Sequence, residues 1–531
     1  MPVAVGIDLG STHCNVGIWH HGRPEIIANH HGLRATPTMV AYTDEEVLVG
    51  EAALTQMPKN IKNTVFGFKW MVGVAHAELE PHVVQLLASA PFKCVQDASG
   101  AARVEVTHKG EDRSIGPETL CSHLFEHLKS IAEQFSGESV GKCVLSVPAD
   151  FTQQQRDALQ ACGKAAGLPF SLISDPVATA MAYGLDRTDA EISSSGRDEA
   201  HASAKATVLV VDFGGGGVEA TVLTRRDGML AIAATERDAT VGGDVFVQRL
   251  VEFCAKDHKR KTGMDVFESK RGLLKLRREC ESAVKALSMT QQAEPYVEAM
   301  MEGVDFKTRI TRMRFEDLCY DLYDRAKEPI LRAMKACGKA PEEVDEVLLA
   351  GGIAHMPRIQ ALVRGLFPEK TVFGAGLFPD EAVAIGATIQ ASLLDAHPNP
   401  AGANVPLPQS LPLSPVALGL RCLPPASADS DPEASPQVLA VINVGEPLPA
   451  QHKVDLKLAR DGADGSLTVI LQVLQLGSEE PSVLGNLVFA ELPAGDLEFE
   501  VGLTLRTEGV LKAEALEKKS RAVQSVVIGK A

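Results

Sequence analysis

Hydrophobic runs that end at a turn signal give the first predictions for this chain. Several apolar, mostly β-branched residues in a row predict a strand that is buried on both faces. Two such runs, residues 3–7 and 208–211, are each followed by an aspartate, one apolar residue and a glycine. Residues 117–135 instead carry leucines at helical spacing and predict an amphipathic helix. Because glycine lets the backbone approach a ligand closely, the two strand ends are the first candidates for chemistry.

The second strand end is the more informative of the two. Residues 208–219 read Val-Leu-Val-Val-Asp-Phe-Gly-Gly-Gly-Gly-Val-Glu. Successive glycine amides can point at one anion, so the turn from Gly214 to Gly217 predicts a phosphate cradle. The carboxylate of Asp212 would repel phosphate unless a divalent cation lay between them. This combination indicates a metal-nucleotide site, although a glycine-rich hairpin turn alone is common.

The N-terminal strand repeats the pattern, with Asp8 and Gly10 followed by Ser11 and Thr12. The two copies lie about two hundred residues apart, which is too far for a solenoid repeat. A duplicated domain explains this spacing better, since each half would then offer one phosphate hairpin to a shared cleft. The expectation is therefore two similar lobes that clamp a nucleotide.

Composition limits the remaining function classes. A chain of 531 residues is long enough for two or three domains. The formal charge of −17 argues against direct nucleic-acid binding, so contact with a ribosome would have to pass through a basic partner. Ten isolated cysteines favour buried thiols in a reducing compartment. The N-terminus shows no signal-peptide pattern and no apolar run reaches membrane-spanning length, so we expect a soluble cytoplasmic protein.

Other segments give weaker predictions. Residues 309–314 are typical of a strand or its flank, and residues 316–333 of one helix. The polar segment 187–205 predicts a mobile loop between the two halves. Prolines crowd residues 398–436, which indicates a linker and an irregular loop, and the strand-like runs beyond predict a compact antiparallel β domain.

Lys69 lies between Phe68 and Trp70 and has two open interpretations. It either extends from an apolar patch to solvent or contacts a terminal phosphate. The sequence does not decide between them.

Taken together, these segments resemble the seventy-kilodalton heat-shock (DnaK-type) chaperones. The likeness covers residues 3–396 well and the C-terminal β domain weakly. The shared segments in this chain are Gly6-Ile-Asp-Leu-Gly-Ser-Thr12, Glu25-Ile-Ile-Ala-Asn29, Asn63-Thr-Val-Phe66 with Lys69, Ser146-Val-Pro-Ala149, Ala182-Tyr-Gly-Leu-Asp186, Asp212-Phe-Gly-Gly-Gly216, Gly242-Gly243 and Pro379-Asp-Glu-Ala-Val383.

The resemblance implies an α/β fold. An actin-like, two-lobed ATPase domain would span residues 1–396, with ATP and Mg²⁺ in its cleft. A proline-rich linker would follow at 397–413, and a C-terminal antiparallel β-sandwich at 414–531. In relatives that sandwich holds extended peptides, and here no helical lid is expected after it.

The resemblance also implies roles for individual residues. Lys69 would act at the γ-phosphate and its attacking water, and Asp8 and Asp212 would hold the hydration shell of magnesium. Asp175, Asp212 and Glu219 join Lys69 as the candidate catalytic residues. The candidate cofactor-binding residues are Gly10, Ser11, Thr12, Lys69, Gly214, Gly215, Gly216, Gly217, Gly242, Gly243, Asp244, Glu281, Lys285, Ser288, Gly351, Gly352, His355 and Asp380.

The departures from the family pattern concentrate at the chemistry. Gly217 and Glu219 stand where the family has Thr and Asp, and Asp175 stands where it has Glu. A misplacement of about 1 Å in such a site can cost on the order of a hundredfold in rate, whereas binding through backbone amides should suffer less.

Two further departures lie outside that hairpin. His355 follows the Gly-Gly turn in place of Arg, and it would either stack on a base or be an ordinary loop histidine. Prolines also interrupt the stretch 405–413, where relatives carry a leucine-rich linker that docks as an added strand.

These departures resemble the atypical, lidless subgroup that pairs with a ribosome-bound J-domain protein. The hypothesis is a chaperone-type scaffold that binds ATP, hydrolyses it weakly or not at all, and works with a J-domain co-chaperone and a conventional heat-shock chaperone on nascent polypeptides. The first alternative is a conventional ATP-hydrolysing chaperone, which an ATPase assay with a Lys69→Ala control would distinguish. A remote alternative is an actin-fold small-molecule kinase.

Overall fold

The computed structural model describes the residues 2–186, 205–226, 228–369, 371–396, 417–423, 438–442, 450–458, 467–476, 482–492, 497–505 and 511–528. The chain divides into two compact units, one formed by Met1–Leu230 with Ala234–Pro408 and the other made mainly of Gln409–Ala531. The predicted linker 397–413 lies outside the described residues, as does the predicted loop 187–205 apart from Lys205, which begins a strand.

The first unit begins with a lobe built on a six-stranded sheet. The order of its strands is β12-β11-β1-β2-β3, with β4 beside β2, and β1 pairs antiparallel with β2 and parallel with β11. The strands of this lobe are β1 (Val3–Asp8), β2 (His13–His20), β3 (Arg23–Ile26), β4 (Ala35–Pro37), β5 (Met39–Tyr42), β6 (Val47–Val49), β7 (Thr64–Phe66), β8 (Lys93–Gln96), β9 (Ala102–His108), β10 (Glu111–Ile115), β11 (Val140–Val147) and β12 (Ser171–Ser174). Its helices are α1 (Glu51–Gln56), α2 (Pro81–Ser89), α3 (Pro117–Ser136), α4 (Gln153–Ala165) and α5 (Asp175–Ala182).

The second lobe repeats this topology. Its main sheet has the order β15-β14-β13-β20-β21, in which β13 pairs antiparallel with β14 and parallel with β20. Its strands are β13 (Lys205–Phe213), β14 (Val218–Arg226), β15 (Met229–Asp238), β16 (Gln292–Ala293), β17 (Tyr296–Met301), β18 (Val304–Lys307), β19 (Ile310–Thr311), β20 (Glu346–Ala350) and β21 (Val372–Phe373). Its helices are α6 (Gly243–Thr262), α7 (Lys270–Met289), α8 (Arg312–Leu318), α9 (Tyr320–Ala326), α10 (Glu328–Ala336) and α11 (Pro357–Arg364), and α12 (Ala382–Ala396) then returns to the first lobe. The repeated strand order agrees with the two similar lobes that the duplicated strand-Asp-Gly motif predicts.

Helix α12 packs against the first lobe at very short range. A Cβ atom at Gly6 would lie 2.1 Å from the backbone nitrogen of Thr388, and one at Gly386 would lie 1.7 Å from the carbonyl oxygen of Ala178 in α5. Small residues on both sides therefore let α12 approach β1 and α5. This contact fixes the strand whose C-terminal end carries Asp8.

The predicted helix at 117–135 is present as α3. Leu120, Leu124 and Leu128 on one face are fully buried, as their spacing requires. The helix ends at Gly137, whose φ of 69° is the left-handed conformation that commonly terminates helices.

Two segments differ from the predictions. Residues 312–314 belong to a helix rather than to a strand, because the Thr311 side chain accepts a hydrogen bond from the Arg314 amide and caps α8. The single helix predicted at 316–333 is instead divided among α8, α9 and α10, and Pro329 lies in the first turn of α10.

The second unit contains two four-stranded antiparallel sheets, ordered β23-β22-β25-β26 and β24-β27-β28-β29. Their strands are β22 (Ala417–Leu423), β23 (Val438–Ile442), β24 (Ala450–Leu458), β25 (Leu467–Leu476), β26 (Ser482–Leu492), β27 (Leu497–Leu505), β28 (Leu511–Glu517) and β29 (Val523–Ile528). Buried residues from both sheets, including Leu471, Phe489 and Phe499, form one hydrophobic core.

Strand β22 corrects the prediction of an irregular loop across 398–436. Leu418 and Leu420 are buried in the core, and β22 pairs with both β23 and β25. A seven-residue strand thus fits within a proline-crowded region because this stretch itself contains no proline.

No helix within the described part of the chain has the length and apolar character needed to span a membrane.

Candidate functional site

The two glycine hairpins meet at the centre of the first unit. A Cβ atom at Gly215 would lie 2.5 Å from the Thr12 hydroxyl oxygen, and one at Gly216 would lie 3.0 Å from both the Cβ and the Oγ of Ser11. A side chain at 215 would force the Thr12 side chain to move, and one at 216 would contact Ser11 tightly, so glycine at these positions allows the two hairpins to approach closely. The structure therefore brings the first-lobe residues Ser11 and Thr12 into contact with the second-lobe turn.

The second hairpin is held by the start of α6. The Gly214 amide donates to the Gly217 carbonyl at 3.0 Å and closes the turn. The amides of Gly243 and Asp244 donate in turn to the carbonyls of Gly214 and Gly215, each at 3.0 Å. These two amides thus have partners within the protein, and they brace the hairpin that would contact phosphate.

The predicted site residues Asp8, Asp175 and Asp212 lie close enough to Lys69 to interact electrostatically with it. Asp8 ends β1, Asp212 is the penultimate residue of β13, and Asp175 is the first residue of α5. The side chain of Lys69 lies close enough to lower the pKa of all three carboxyl groups. Lys69 itself is only 3% exposed, and its Nζ donates to the Leu9 carbonyl at 2.5 Å. The interpretation in which Lys69 extends to solvent is therefore wrong.

The carboxyl groups have raised pKa values because they are desolvated and close to one another. Burial and the neighbouring Asp175 together raise the pKa of Asp212 to about 7, against the opposing charge of Lys69. Burial likewise raises the pKa of Asp8 well above its ordinary value. The pKa of Glu219 is raised to about 8 by burial and by the charges of Asp175, Asp150 and Asp212. A bound cation would relieve the repulsion among these buried carboxylates, so the site favours one.

Magnesium fits these residues. The Oδ1 atoms of Asp175 and Asp212 are buried without a hydrogen-bond partner, so each has a free acceptor position. Among the described residues, no three or more His, Cys, Asp or Glu side chains are grouped to ligate a metal directly. Mg²⁺ commonly keeps several waters and binds one or two carboxylates together with substrate phosphates. Asp8 and Asp212 would therefore hold it through water.

Helix α7 carries three of the candidate cofactor-binding residues, Glu281, Lys285 and Ser288. Lys285 Nζ lies 2.8 Å from the Glu281 carboxylate, and Nε2 of His13, from the first lobe, lies 3.8 Å from the same oxygen. Burial and the charge of Lys285 together lower the pKa of His13 to about 4, although the Glu281 carboxylate opposes this shift. Ser288 lines a small cavity, and Met356 and Pro357, which follow His355, line the same one. Helix α7 and the segment that follows His355 therefore lie side by side.

The Gly351-Gly352 turn adjoins the carboxylate cluster. Gly351 has a φ of 83°, and a Cβ atom there would lie 2.3 Å from Asp212 Oδ1. Its amide donates to the Pro379 carbonyl at 2.9 Å, which ties the turn to the segment that carries Asp380. By contrast, a Cβ atom at Gly352 would meet no atom within 4 Å, so this glycine is not required by close packing.

His355 and Asp380 form a direct pair. His355 Nε2 lies 2.7 Å from Asp380 Oδ1, and this hydrogen bond raises the pKa of His355 above its ordinary value. The imidazole thus has a hydrogen-bond partner within the protein, as expected for an ordinary loop histidine. Its side chain is still 34% exposed, and its ring centroid lies 6.3 Å from that of Phe378.

Sequence reasoning missed several residues at the site. Arg312 and Met356 line the cavity beside Ser288, and Arg237 lies between the lobes near Glu219. These residues come from segments that are distant in the sequence and follow no motif spacing.

Comparison with known proteins gives a consistent result along the whole chain. A family model described as Hsp70 protein matches residues 4–531. The chain is 33% identical over 532 aligned positions to the heat shock 70 kDa protein 2 of Paracoccidioides lutzii, an alignment that covers 99% of this chain and 77% of that protein. The heat shock cognate 70 kDa protein 3 of Dictyostelium discoideum is 31% identical, with 99% and 80% covered.

Proposed function

This chain belongs to the Hsp70 family of chaperones, and we propose that it is an atypical member that binds ATP with Mg²⁺ but hydrolyses it slowly or not at all. Its ATP would serve mainly to hold the two lobes in one arrangement. Gly10, Ser11, Thr12 and the turn from Gly214 to Gly217 would line the phosphate site and bind the phosphates through backbone amides other than that of Gly214, which already donates to the Gly217 carbonyl.

The observation that most supports slow hydrolysis is the state of the second hairpin. Burial and the nearby Asp175, Asp150 and Asp212 raise the pKa of Glu219 to about 8, so until a cation binds this carboxyl group tends to hold a proton near neutral pH and is a poor general base. Gly217 lacks a hydroxyl group, and a Cβ atom there would lie 2.9 Å from the Asp238 carbonyl oxygen. The backbone at this turn thus leaves little room for a threonine-like side chain. Phosphate binding depends less on these groups, because amides supply most of its donors.

The proposal extends to the domain plan. A nucleotide-binding domain would span residues 1–396, a proline-rich linker 397–413, and a β-sandwich 414–531. The sandwich assignment is supported by the single core shared by two antiparallel sheets. By analogy with the family it would bind an extended polypeptide segment.

We further propose that the protein works with a J-domain co-chaperone on cytoplasmic ribosomes. Membership of the Hsp70 family implies J-domain co-chaperones and polypeptide substrates in general. The charge of −17 suits a subunit that reaches the ribosome through a basic partner rather than by contacting RNA itself. Its task there would be to assist a conventional heat-shock chaperone on nascent polypeptides.

Sedimentation of native lysates through sucrose gradients tests the proposed location. The protein should co-sediment with ribosomes, and it should leave those fractions when the ribosome-bound J-domain protein is depleted. Retention after depletion, or absence from ribosomal fractions in untreated lysates, would contradict the proposal.

The conventional ATP-hydrolysing chaperone is the second candidate, because Lys69, Asp8 and Asp212 are retained and lie together. Turnover at the rate of a conventional Hsp70, abolished by Lys69→Ala, would favour it. A small-molecule kinase is disfavoured because the match to the chaperone family covers both compact units.

A further inference from the structure

Arg237 is a second-lobe residue whose side chain is enclosed by the first lobe. It lies near the end of β15, and only 14% of its side chain is exposed. Its Nη2 atom donates to both carboxylate oxygens of Glu80, at 2.6 and 2.7 Å. Its Nε atom lies 3.1 Å from Asp150 Oδ2. Both acceptors belong to the first lobe, so one guanidinium joins two first-lobe segments to the second lobe.

The guanidinium also stacks on an aromatic ring. Its central carbon lies 4.4 Å from the centroid of Trp70, which contacts His82 and Phe151 edge-on. Trp70 directly follows Lys69, and Lys69 Nζ lies 5.2 Å from the same ring. Arg237 therefore contacts the residue that lies beside the amine predicted to reach the γ-phosphate.

The second lobe fixes the backbone of Arg237 independently. Arg332 in α10 donates from Nη2 to the Arg237 carbonyl at 3.1 Å, and its Nε atom pairs with Glu236 at 3.0 Å. The backbone of β15 at Arg237 is thus held by the second lobe, while the Arg237 side chain is held by the first lobe. A connection of this kind resists separation of the lobes rather than adjusting to it.

We propose that Arg237 is a positioning residue that locks the two lobes together at the phosphate end of the cleft. Because the phosphate hairpins come from opposite lobes, a nucleotide between them can leave only when the lobes separate. Breaking the contacts of Arg237 with Glu80, Asp150 and Trp70 would then be part of the barrier to release. This inference rests on the proposed binding of nucleotide in the cleft, and it assigns Arg237 the control of nucleotide residence time.

Tryptophan fluorescence tests the lock without nucleotide. The chain has two tryptophans, so Trp19→Phe leaves Trp70 as the only one. In this background, Glu80→Gln combined with Asp150→Asn removes the anchors on the first lobe while leaving Arg237 and Trp70 in place. Opening of the lobes should raise the acrylamide quenching constant of Trp70 by about twofold, the scale of a change from a half-buried to an exposed ring.

Release of a fluorescent ATP analogue provides the second readout. In the same Glu80→Gln and Asp150→Asn protein, dissociation should accelerate by on the order of tenfold, since loss of a hydrogen-bonded charge pair acts mainly on the off-rate. Adding Arg237→Ala should change the rate by no more than about twofold further, because partners in one network are not additive. Arg249→Ala is the matched control, since Arg249 pairs with Asp321 inside the second lobe, and it should alter neither readout.

The outcomes separate this inference from the proposed function. Unchanged Trp70 quenching in the Glu80→Gln and Asp150→Asn protein would overturn the lock, whether or not nucleotide binds. An unchanged dissociation rate, or equal effects of Arg249→Ala, would also overturn it. Failure of the unmodified protein to bind any nucleotide would instead contradict the proposed function. The quenching result would still decide whether Arg237 joins the lobes.

Discussion

Asp212 and Glu219 lie directly opposite each other on β13 and β14, the two strands that flank the second glycine hairpin. Directly opposed side chains in an antiparallel pair share one face of the sheet, so the two carboxyl groups titrate in each other's field. Both pKa values are raised, to about 7 for Asp212 and about 8 for Glu219. Near neutral pH, this pair of carboxyl groups therefore tends to hold protons rather than carry two negative charges, until a cation binds.

Glu219→Gln should reduce the pH dependence of stability. The pKa of Glu219 rises from 4.5 to about 8 on folding, so between these values the native state binds more protons than the unfolded state. Its contribution to stability is consequently lost as pH rises through this window, at a slope of at most about 1.4 kcal/mol per pH unit for one group. Thermal midpoints measured from pH 5 to 8 should fall less steeply in the Gln variant than in the unmodified protein.

Glu111→Gln is the control for this experiment, because Glu111 is an exposed residue with a local partner, Arg113. It should leave the pH profile unchanged. Parallel profiles for the unmodified protein and Glu219→Gln would show that Glu219 does not carry the raised pKa.

Restoring the family residues at the hairpin should restore part of the chemistry. Gly217→Thr with Glu219→Asp should raise the single-turnover rate of ATP hydrolysis by at least about tenfold, since small displacements in such a site change rates by this order. The Cβ atom at 217 would crowd the Asp238 carbonyl, so the threonine should also cost about 1 kcal/mol of stability.

Gly217→Ala with Glu219→Asp separates these two effects, because it adds the crowding carbon without the hydroxyl group. It should be destabilised in the same way but should hydrolyse more slowly than the threonine variant. Equal rates for the two variants would show that the hydroxyl group has no role.

Lys69→Met should weaken ATP binding more than ADP binding. If Lys69 contacts the γ-phosphate, removal of that charge-assisted hydrogen bond should reduce the ratio of ATP to ADP affinity by about tenfold or more. Lys285→Met is the control, since Lys285 lies on α7 beside Glu281 and should affect both nucleotides equally. Isothermal titration with both nucleotides measures the ratio, and a ratio unchanged by Lys69→Met would remove Lys69 from the γ-phosphate.

Leu420→Ala should destabilise the second unit by about 2–4 kcal/mol, the usual cost of truncating a buried leucine. Leu420 is 1% exposed in β22, whereas Leu439, its partner across β23, is 42% exposed. Leu439→Ala should therefore cost less than about 1 kcal/mol. Urea unfolding of the full chain measures both values, and equal costs would contradict the position of β22 in the core.

The parts of the fold that sequence predicted are those fixed by local patterns. The strand-Asp-Gly repeats at Asp8 and Asp212 and the leucine face of α3 depend on residues close together in the chain, and the structure contains all three. The sequence could also place Gly215 and Gly216 in a hairpin turn, because a run of glycines follows a predicted buried strand.

The remaining features depend on contacts between distant segments. Strand β22 lies among prolines and becomes a strand because β23 and β25 pair with it on both sides. Arg237 is an ordinary charged residue in the sequence, and only folding places it against Glu80 and Asp150. The buried state of Lys69 likewise depends on the surrounding lobe rather than on its neighbours in the chain.

Single-turnover ATP hydrolysis, with nucleotide affinity measured on the same protein, tests the central claim most directly. The account predicts tight Mg²⁺-dependent ATP binding with little or no hydrolysis. Turnover at the rate of a conventional Hsp70 measured in parallel, and abolished by Lys69→Ala, would contradict it and would show that Gly217 and Glu219 are compatible with catalysis.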